Sequence, residues 1–293
     1  MKKYSVFYLI PVLLMLAVPF QTAADDFLRG DVDLDGNVNI SDVTCLIDYL
    51  LSNQWPEEGE PETVTYVLNG IEINMVKVEG GTFTMGASGA DTEAYDNEYP
   101  AHIVTLSDFY ICTTEVTQQL WRAVMGSNPS GHTGNVLYPV EAVSWSDCKN
   151  FITKLNQMTG QNFRLPTEAE WEFAARGGIK SKGYKYSGSD DVNEVAWYYT
   201  GSNDYGTKPV ATKKPNELGL YDMSGNVSEW CNDYYTSTYS SENQTNPQGP
   251  TTGVYRVFRG GSYSDYAKNC RVSYRYYYSP NTAHYDRGLR LAL

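Results

Sequence analysis

Long loops interrupt the sequence from residue 67 onward and constrain its fold more than any other feature. Short apolar runs with strand or helix periodicity are separated by stretches rich in Gly, Tyr and Asn. No repeat of about 20 to 50 residues recurs, which disfavours a solenoid or a propeller. With 293 residues, of which 41% are hydrophobic, the chain is long enough for one large domain and a small appendage. The pattern predicts a loop-rich α+β domain.

Three helices and one strand pair can be placed within this region. Residues 71–86 alternate apolar and polar side chains around a Gly-Gly pair, which predicts two paired strands. Helices are predicted at 114–125 and 146–158. The third lies in LPTEAEWEFAARGG, where Thr167 and Glu170 have the spacing of a capping box and Gly177 with Gly178 ends the helix.

The first 24 residues have the composition of a secretory signal. Lys2 and Lys3 precede an apolar run over 4–20, and small residues lead to a predicted cleavage site near Ala24. The alternative, a membrane anchor, fits less well because Pro11 interrupts a run that is short for a span. We therefore expect an exported protein, extracellular or periplasmic, with no membrane span.

An acidic loop follows at 31–42, with the sequence DVDLDGNVNISD. Gly36 falls where a calcium loop turns sharply, and the residues after the loop form an apolar helical stripe. An acidic Asp/Gly turn without a metal is the alternative. The loop is predicted to bind Ca²⁺ through side-chain oxygens and one carbonyl, supplied by Asp31, Asp33, Asp35, Asn37, Asn39 and Asp42.

With Asp at its last position and one attached helix, the unit at 25–52 resembles a type I dockerin repeat. Dockerins usually carry two such repeats and this chain shows one, so cohesin docking and a calcium-stabilised spacer both stay open. Residues 53–66 are rich in Pro and Glu and predict an extended linker before the large domain at 67–293.

Charge and cysteine content narrow the classes of partner and the redox state. The net charge of −13 excludes a nucleic-acid partner, because a phosphate backbone needs a basic surface. Five Cys in an exported chain meet oxidising conditions, and the odd number leaves one thiol free or intermolecular. Our preferred pairs are Cys231 with Cys270 and Cys112 with Cys148, and other pairings stay open.

Seven segments carry a resemblance to a known family. In order they are VEGGTFTMG, YPAHIVTLSDFYICTTEVT, PVEAVSWSDCKNFI, FRLPTEAEWEFAARGG, GLYDMSGNVSEW, RVFRGGSY and RGLRLAL. They resemble the ordered motifs of the formylglycine-generating enzyme (sulfatase-modifying factor) family and cover nearly all of residues 70–293. The resemblance implies that family's variant of the C-type-lectin-like α+β fold.

The resemblance also implies a chemistry that this sequence departs from. Active members resemble copper oxidases that hold Cu(I) through two thiolates and convert a sulfatase cysteine to formylglycine. The motif serine corresponds to Ser262 and the second cysteine to Cys270, whereas Asp265 stands where the first cysteine would be. Soft thiolates suit Cu(I) and a hard carboxylate does not, so formylglycine synthesis is disfavoured. The iron-dependent sulfoxide synthases of the wider superfamily need clustered His, and the three His here are far apart.

A family calcium site is implied within GLYDMSGNVSEW. Its ligands would be the side chains of Asp222 and Glu229 and the carbonyls of Gly225 and Val227. The alternative is a structural turn whose acids face water.

Residues 262–287 contain seven Tyr with interspersed Ser, Asn and Arg. Tyr provides a large contact area with few rotatable bonds, and Ser and Asn provide adaptable hydrogen bonds. The segment also resembles variable lectin-fold proteins diversified by retroelements. Alternatively, these Tyr pack between the loops. The side chains predicted to bind a glycan or peptide ligand are Tyr263, Tyr266, Tyr274, Arg275, Tyr276, Tyr278, His284 and Tyr285.

The sequence thus favours an exported ligand-recognition module of this family, because Asp265 replaces one of the paired cysteines. An active oxidase that acts on a sulfatase cysteine and a structural extracellular protein are the two alternatives.

Overall fold

Short strand pairs, most of them antiparallel, supply the sheets of the molecule. The computed structural model describes residues 62–201 and 205–293, so the predicted signal, the calcium loop and most of the predicted linker lie outside the described residues. One sheet has the order β1, β2, β5, formed by Thr63–Leu68, Ile71–Val78 and Phe109–Cys112. A second has the order β3, β4, β7, formed by Gly81–Met85, His102–Leu106 and Gln244–Thr245.

The third sheet carries the C-terminal part of the chain. Its order is β10, β6, β8, β9, formed by Arg287–Gly288, Ser228–Tyr234, Arg256–Arg259 and Arg275–Tyr278. β8 pairs with β6 on one side and β9 on the other, both antiparallel, whereas β10 pairs with β6 in parallel. β9 is therefore an edge strand.

The described residues contain four α-helices, which are α1 (Gln118–Met125), α2 (Trp145–Thr159), α3 (Glu168–Ala175) and α4 (Val192–Val195). The predicted capping box of α3 is confirmed, since Thr167 Oγ1 accepts from the Glu170 amide and the Glu170 carboxylate accepts from the Thr167 amide. All eight residues of α3 are buried. This helix is consequently surrounded by protein rather than half-exposed.

Two sequence predictions of local structure are wrong. β2 and β3 are consecutive but lie in different sheets, and β3 pairs with β4 instead. Gly80, between them, approaches the Leu106 carbonyl so closely that an added Cβ would lie 2.5 Å from its oxygen. The predicted helix at 114–125 begins only at Gln118, because the amide of Val116 bonds the carbonyl of Leu289 and holds this stretch extended.

Apolar side chains form two main buried clusters. The first lies between α1 and α2, where Trp121 and Phe151 stack with ring centres 4.8 Å apart. The second packs Trp171 and Phe173 of α3 against β3, β4 and β8. Across the described ranges, no helix has the length and apolar character needed to cross a bilayer. Residues 63–66, which the sequence assigns to the linker, form the first part of β1.

Candidate functional site

The turn after β8 places the residues that correspond to the family's catalytic motif. Gly260 and Gly261 both have positive φ, and a Cβ on Gly261 would lie 3.1 Å from Cys270 Sγ. Ser262 Oγ donates to Asp265 Oδ2 at 2.7 Å, and Asn269 Nδ2 donates to Asp265 Oδ1 at 3.2 Å. Asp265 therefore closes the turn with both of its carboxylate oxygens in use.

Cys270 is a buried core residue in this arrangement. Its side chain belongs to a small cluster with Tyr186, Val195 and Ala196. Burial, and secondarily the charge of Asp265, raises the pKa of the Cys270 thiol well above its ordinary value. A buried, protonated thiol beside a carboxylate already engaged in hydrogen bonds does not fit a Cu(I) site, which requires soft thiolates.

The other described cysteines are also unpaired. Cys112, Cys148, Cys231 and Cys270 are all free and buried, so the preferred disulfide pairs are not formed. Cys112 and Cys148 pack in the first apolar cluster, whereas Cys231 packs in the second. These thiols act as small apolar side chains in the core.

The residues of the implied calcium site are buried. Asp222 Oδ2 accepts from the Ala211 amide at 2.8 Å, and Oδ1 has no hydrogen-bond partner. Burial raises the pKa of Asp222 to about 6. Gly225 has positive φ and lies so close to Trp197 that a Cβ would be 2.3 Å from the Trp197 carbonyl oxygen.

Glu229 is committed to other partners. Both of its carboxylate oxygens accept from Arg290, and Trp171 Nε1 donates to Oε2 at 2.7 Å. The Val227 amide donates to Glu115, another buried acid whose pKa burial raises strongly. Within 62–201 and 205–293, no three His, Cys, Asp or Glu side chains are placed to hold a metal ion. Calcium at two carboxylates and two carbonyls stays a prediction.

Three residues predicted to contact a ligand are instead buried. Arg275 lies in the core, where its guanidinium donates to both carboxylate oxygens of Glu168, each at 2.7 Å. Tyr263 is covered by Tyr205 and His132, whose rings lie 5.0 and 4.9 Å from its own. Tyr274 is also buried. Sequence alone could not separate these residues from the exposed ones because strand alternation begins only at Arg275.

The other predicted contact residues face outward. The exposed fraction is 62% for Tyr266, 59% for Tyr285, 45% for Tyr276 and 40% for Tyr278. This exposure leaves the four rings accessible to a partner. Together with two exposed tyrosines from earlier loops they form what we call the tyrosine surface, consisting of Tyr95, Tyr199, Tyr266, Tyr276, Tyr278 and Tyr285.

Ring contacts connect one part of the tyrosine surface to the next. The Tyr199 and Tyr266 rings meet edge to face with centres 5.5 Å apart. The buried Tyr274 lies between Tyr95 and Tyr276, with ring centres 5.7 and 6.3 Å away. Tyr199 and Tyr266 thus contact each other directly, whereas Tyr95 and Tyr276 are connected through the buried Tyr274.

Asn269 joins these two groups. The side-chain oxygen of Asn269 accepts from the Tyr95 hydroxyl at 3.2 Å, and the backbone N–H of Asn269 donates to the Tyr266 carbonyl at 2.8 Å. Lys268 Nζ lies 5.2 Å from the centre of the Tyr95 ring. The 3₁₀ turn at Ala267–Cys270 therefore links the early loop to the C-terminal segment.

A charged group adjoins the same surface at Arg287. Its guanidinium lies 4.2 Å from the centre of the Tyr278 ring, and its Nε lies 3.5 Å from Asp286 Oδ1. Burial lowers the pKa of Arg287, and the negative charges of Asp286 and Asp265 oppose that effect. His284 Nδ1 is 2.6 Å from the same Asp286 oxygen. The surface thus combines phenol rings with a mixed set of charges.

Sequence reasoning missed Tyr95 and Tyr199 because both precede the C-terminal segment by many residues. It also missed the buried ion pairs. Arg259 pairs with Glu168 and Glu172, and Arg271 pairs with Glu98. The available signal was the density of arginines and acids within the quoted family segments.

The sequence profile of the family described as the Sulfatase-modifying factor enzyme 1-like domain matches residues 69–293. The chain is 36% identical to the chaperone protein LppX of Paenibacillus barcinonensis over 75% of this chain and 89% of the relative. It is 31% identical to the formylglycine-generating enzyme of Streptomyces coelicolor, over 74% of this chain and 88% of that enzyme.

Among solved structures, a Treponema denticola protein named variable protein 1 is similar over most of the domain. The alignment has a TM-score of 0.71 and 33% identity, and it covers 79% of this chain and 99% of that protein. The match therefore spans nearly all of that structure.

Proposed function

The chain belongs to the Sulfatase-modifying factor enzyme 1-like family, and we propose that it acts within that family as a ligand-recognition protein rather than as an oxidase. The observation that carries this proposal is the contrast at the C-terminal segment. Its one thiol, Cys270, is buried and protonated, whereas four of its seven tyrosines are exposed. The mixed sheets, short helices and long loops are consistent with a C-type-lectin-like fold.

A peptide segment of a partner protein is the ligand class we favour. Rigid phenol rings with hydroxyl tips suit contact with a peptide, since they bury area at a small entropic cost. The relative LppX is named a chaperone, which supports a protein ligand for this chain. The likeness to a protein named variable protein 1 supports recognition as the task of the segment.

The test compares one pair of exposed tyrosines with a single exposed tyrosine outside the tyrosine surface. The intact protein is screened against a displayed random-peptide library and a glycan array, and affinities for the selected ligands are then measured. Tyr276→Ala with Tyr278→Ala should weaken binding at least tenfold, about 1.4 kcal/mol. Tyr255→Ala is the control, because Tyr255 is exposed but is not part of the tyrosine surface and packs against Tyr277.

Three outcomes would contradict the proposal. Equal loss in the control would show that the effect is not specific to the tyrosine surface, and selection of glycans alone would reject the peptide ligand. Absence of any ligand would favour a structural protein. An oxidase is tested separately by incubation with a sulfatase-type cysteine peptide, oxygen and Cu(I). Formylglycine that disappears in Cys270→Ser would reject a non-catalytic role.

The N-terminal proposals concern residues outside the described ranges. The loop at 31–42 would bind one Ca²⁺, and calorimetry on Asp31→Ala should lose one binding event that Asp190→Ala retains. Export would leave a mature N-terminus near Asp25, which mass spectrometry of the secreted protein detects. An unprocessed N-terminus would reject the cleavage prediction, and unchanged calcium stoichiometry would reject the ligand assignment.

A further inference from the structure

A concave site lies apart from the tyrosine surface. An open cavity of about 580 Å³ is lined by the start of α3, the end of β6, the first residue of β4 and the loop at 236–250. Its volume is within the range of small-molecule sites, roughly 300–1,000 Å³. No member of the tyrosine surface lines it. The cavity therefore requires its own explanation.

Asp233 provides a buried carboxyl group in the cavity wall. Its Oδ2 accepts from the Glu168 amide at 2.9 Å, at the first residue of α3. Gly249 of the loop closes over it, since an added Cβ would lie 2.9 Å from Asp233 Oδ1. Burial, and then the charge of Glu168, raises the pKa of Asp233 to about 8. At pH 7 the carboxyl is mostly protonated and can donate a hydrogen bond.

His102 provides a buried acceptor in the same wall. Its Nδ1 lies 3.3 Å from the Pro100 carbonyl oxygen, and because a carbonyl only accepts, Nδ1 carries the proton. Nε2 is then an acceptor, and among the described residues nothing donates to it. The His102 ring packs against Tyr239 with ring centres 5.0 Å apart, which fixes its orientation.

The charges at the cavity are internally balanced. Glu168 is neutralised by Arg275 and Arg259, and it also accepts from the Tyr239 hydroxyl at 3.0 Å. The remaining polar lining consists of uncharged hydroxyl and amide side chains from the loop, namely Thr236, Thr238, Ser240, Gln244, Thr245 and Gln248. Such a wall offers many hydrogen bonds and no net charge to a ligand.

From this geometry we propose that the cavity binds one neutral sugar unit, a hexose ring, with Asp233 donating to one hydroxyl and His102 Nε2 accepting from another. Both side chains line the cavity, and Asp233 Oδ1 and His102 Nε2 have no protein hydrogen-bond partner among the described residues. A neutral polyhydroxylated ring satisfies both without placing a charge beside Glu168. The proposal stands independently of the peptide ligand of the tyrosine surface.

The test uses the full chain and four probes, which are the methyl glycosides of glucose, galactose, mannose and N-acetylglucosamine. Saturation-transfer NMR should detect binding of at least one at millimolar concentration. Ser240→Trp places a large ring at the exposed loop position lining the cavity and should reduce affinity at least tenfold. Ser127→Trp, at an exposed position elsewhere, should leave it unchanged. No binding by any probe, or equal loss in both variants, would overturn the proposal.

The pH dependence tests the donor. Affinity of the wild type should fall as the pH rises from 7 through about 8, because ionised Asp233 no longer donates. Asp233→Asn should bind with similar affinity and lack this fall, since its amide keeps a donor and an acceptor. The charged and titratable groups that act on Asp233 are Glu168, Glu170, Arg275, Arg256 and Cys231. A flat wild-type profile up to pH 9 would overturn the assignment of Asp233.

Discussion

Within segment 271–278, Arg271 and Arg275 face into the domain whereas Tyr276 and Tyr278 face outward, and the two pairs have opposite relations to the fold. Arg271 and Arg275 are buried and reach acids from the first part of the domain. Tyr276 and Tyr278 follow on the same strand, are exposed, and touch the domain mainly through ring contacts. The buried arginines fix the position of the strand. The fold therefore does not depend on which side chains stand at the exposed positions, and these can be suited to a ligand.

The energetic difference between the two sets should be large. Removal of one partner of a buried ion pair leaves an uncompensated charge, which costs about 3–5 kcal/mol. Truncation of an exposed ring mostly costs far less, because its contact area with the domain is small. Four changes separate these cases, from the largest expected effect to the smallest.

Arg275→Ala should lower the free energy of unfolding by about 3–5 kcal/mol, because it leaves Glu168 buried with one fewer cation. Urea denaturation monitored by Trp fluorescence measures the loss. Lys185→Ala removes a partly exposed partner of Glu93 and should cost less than about 1 kcal/mol. Equal losses would break the distinction between buried and exposed charge.

Asp222 sharpens the comparison, because it is a buried acid with an oxygen that no arginine reaches. Its pKa in the folded protein is about 6, above the ordinary 3.8, so the folded state binds the proton more tightly. The stabilisation that Asp222 contributes is therefore fully present below pH 3.8 and is lost as the pH rises through about 6. Between pH 4 and 7 the free energy of unfolding of the wild type should therefore fall by up to about 3 kcal/mol more than that of Asp222→Asn. Parallel urea midpoints for the two proteins would contradict the assignment.

Cys270→Ser tests whether the Cys270 thiol lies in an apolar environment that water does not reach. A hydroxyl among Tyr186, Val195 and Ala196 should cost about 1–3 kcal/mol, because it loses water without gaining a good partner. Cys270→Ala is the matched control and leaves no polar atom. A serine variant as stable as the wild type would show that the thiol site is polar or reached by water.

Tyr276→Ala should change the free energy of unfolding by no more than about 1 kcal/mol, since nearly half of the ring is already exposed. The same urea titration applies. A loss comparable to that of Arg275→Ala would mean that the tyrosine surface is part of the folding core, and recognition would then lose its physical basis.

Local features of the fold were predictable where the signal is local. The capping box at Thr167 and the apolar face of α2 follow from spacing alone. The placement of β2 and β3 in different sheets was not predictable, because a Gly-Gly pair is equally compatible with a hairpin and with a chain that passes between sheets. Here the close approach of Gly80 to Leu106 decides for the second.

The candidate site was predictable as a segment but not residue by residue. Tyr composition over 262–287 identified the region, and four of its tyrosines are exposed as expected. Arg275 could not be distinguished from a ligand-binding arginine, since its partner Glu168 lies 107 residues earlier. The cavity at Asp233 left no sequence signal, because His102 and Asp233 come from β4 and β6, which are far apart in the sequence.

The separation between α3 and its arginines also bears on how the protein is made. Arg259 and Arg275 lie 91 and 107 residues after Glu168. Until Arg259 and Arg275 have been synthesised, burial of α3 would place the Glu168 carboxylate in a medium of low polarity without its ion-pair partners. Trp171 and Phe173 must therefore wait uncovered while the last third of the polypeptide is synthesised. A nascent chain that stalls before residue 275 is expected to be a substrate for proteases rather than a partly assembled domain.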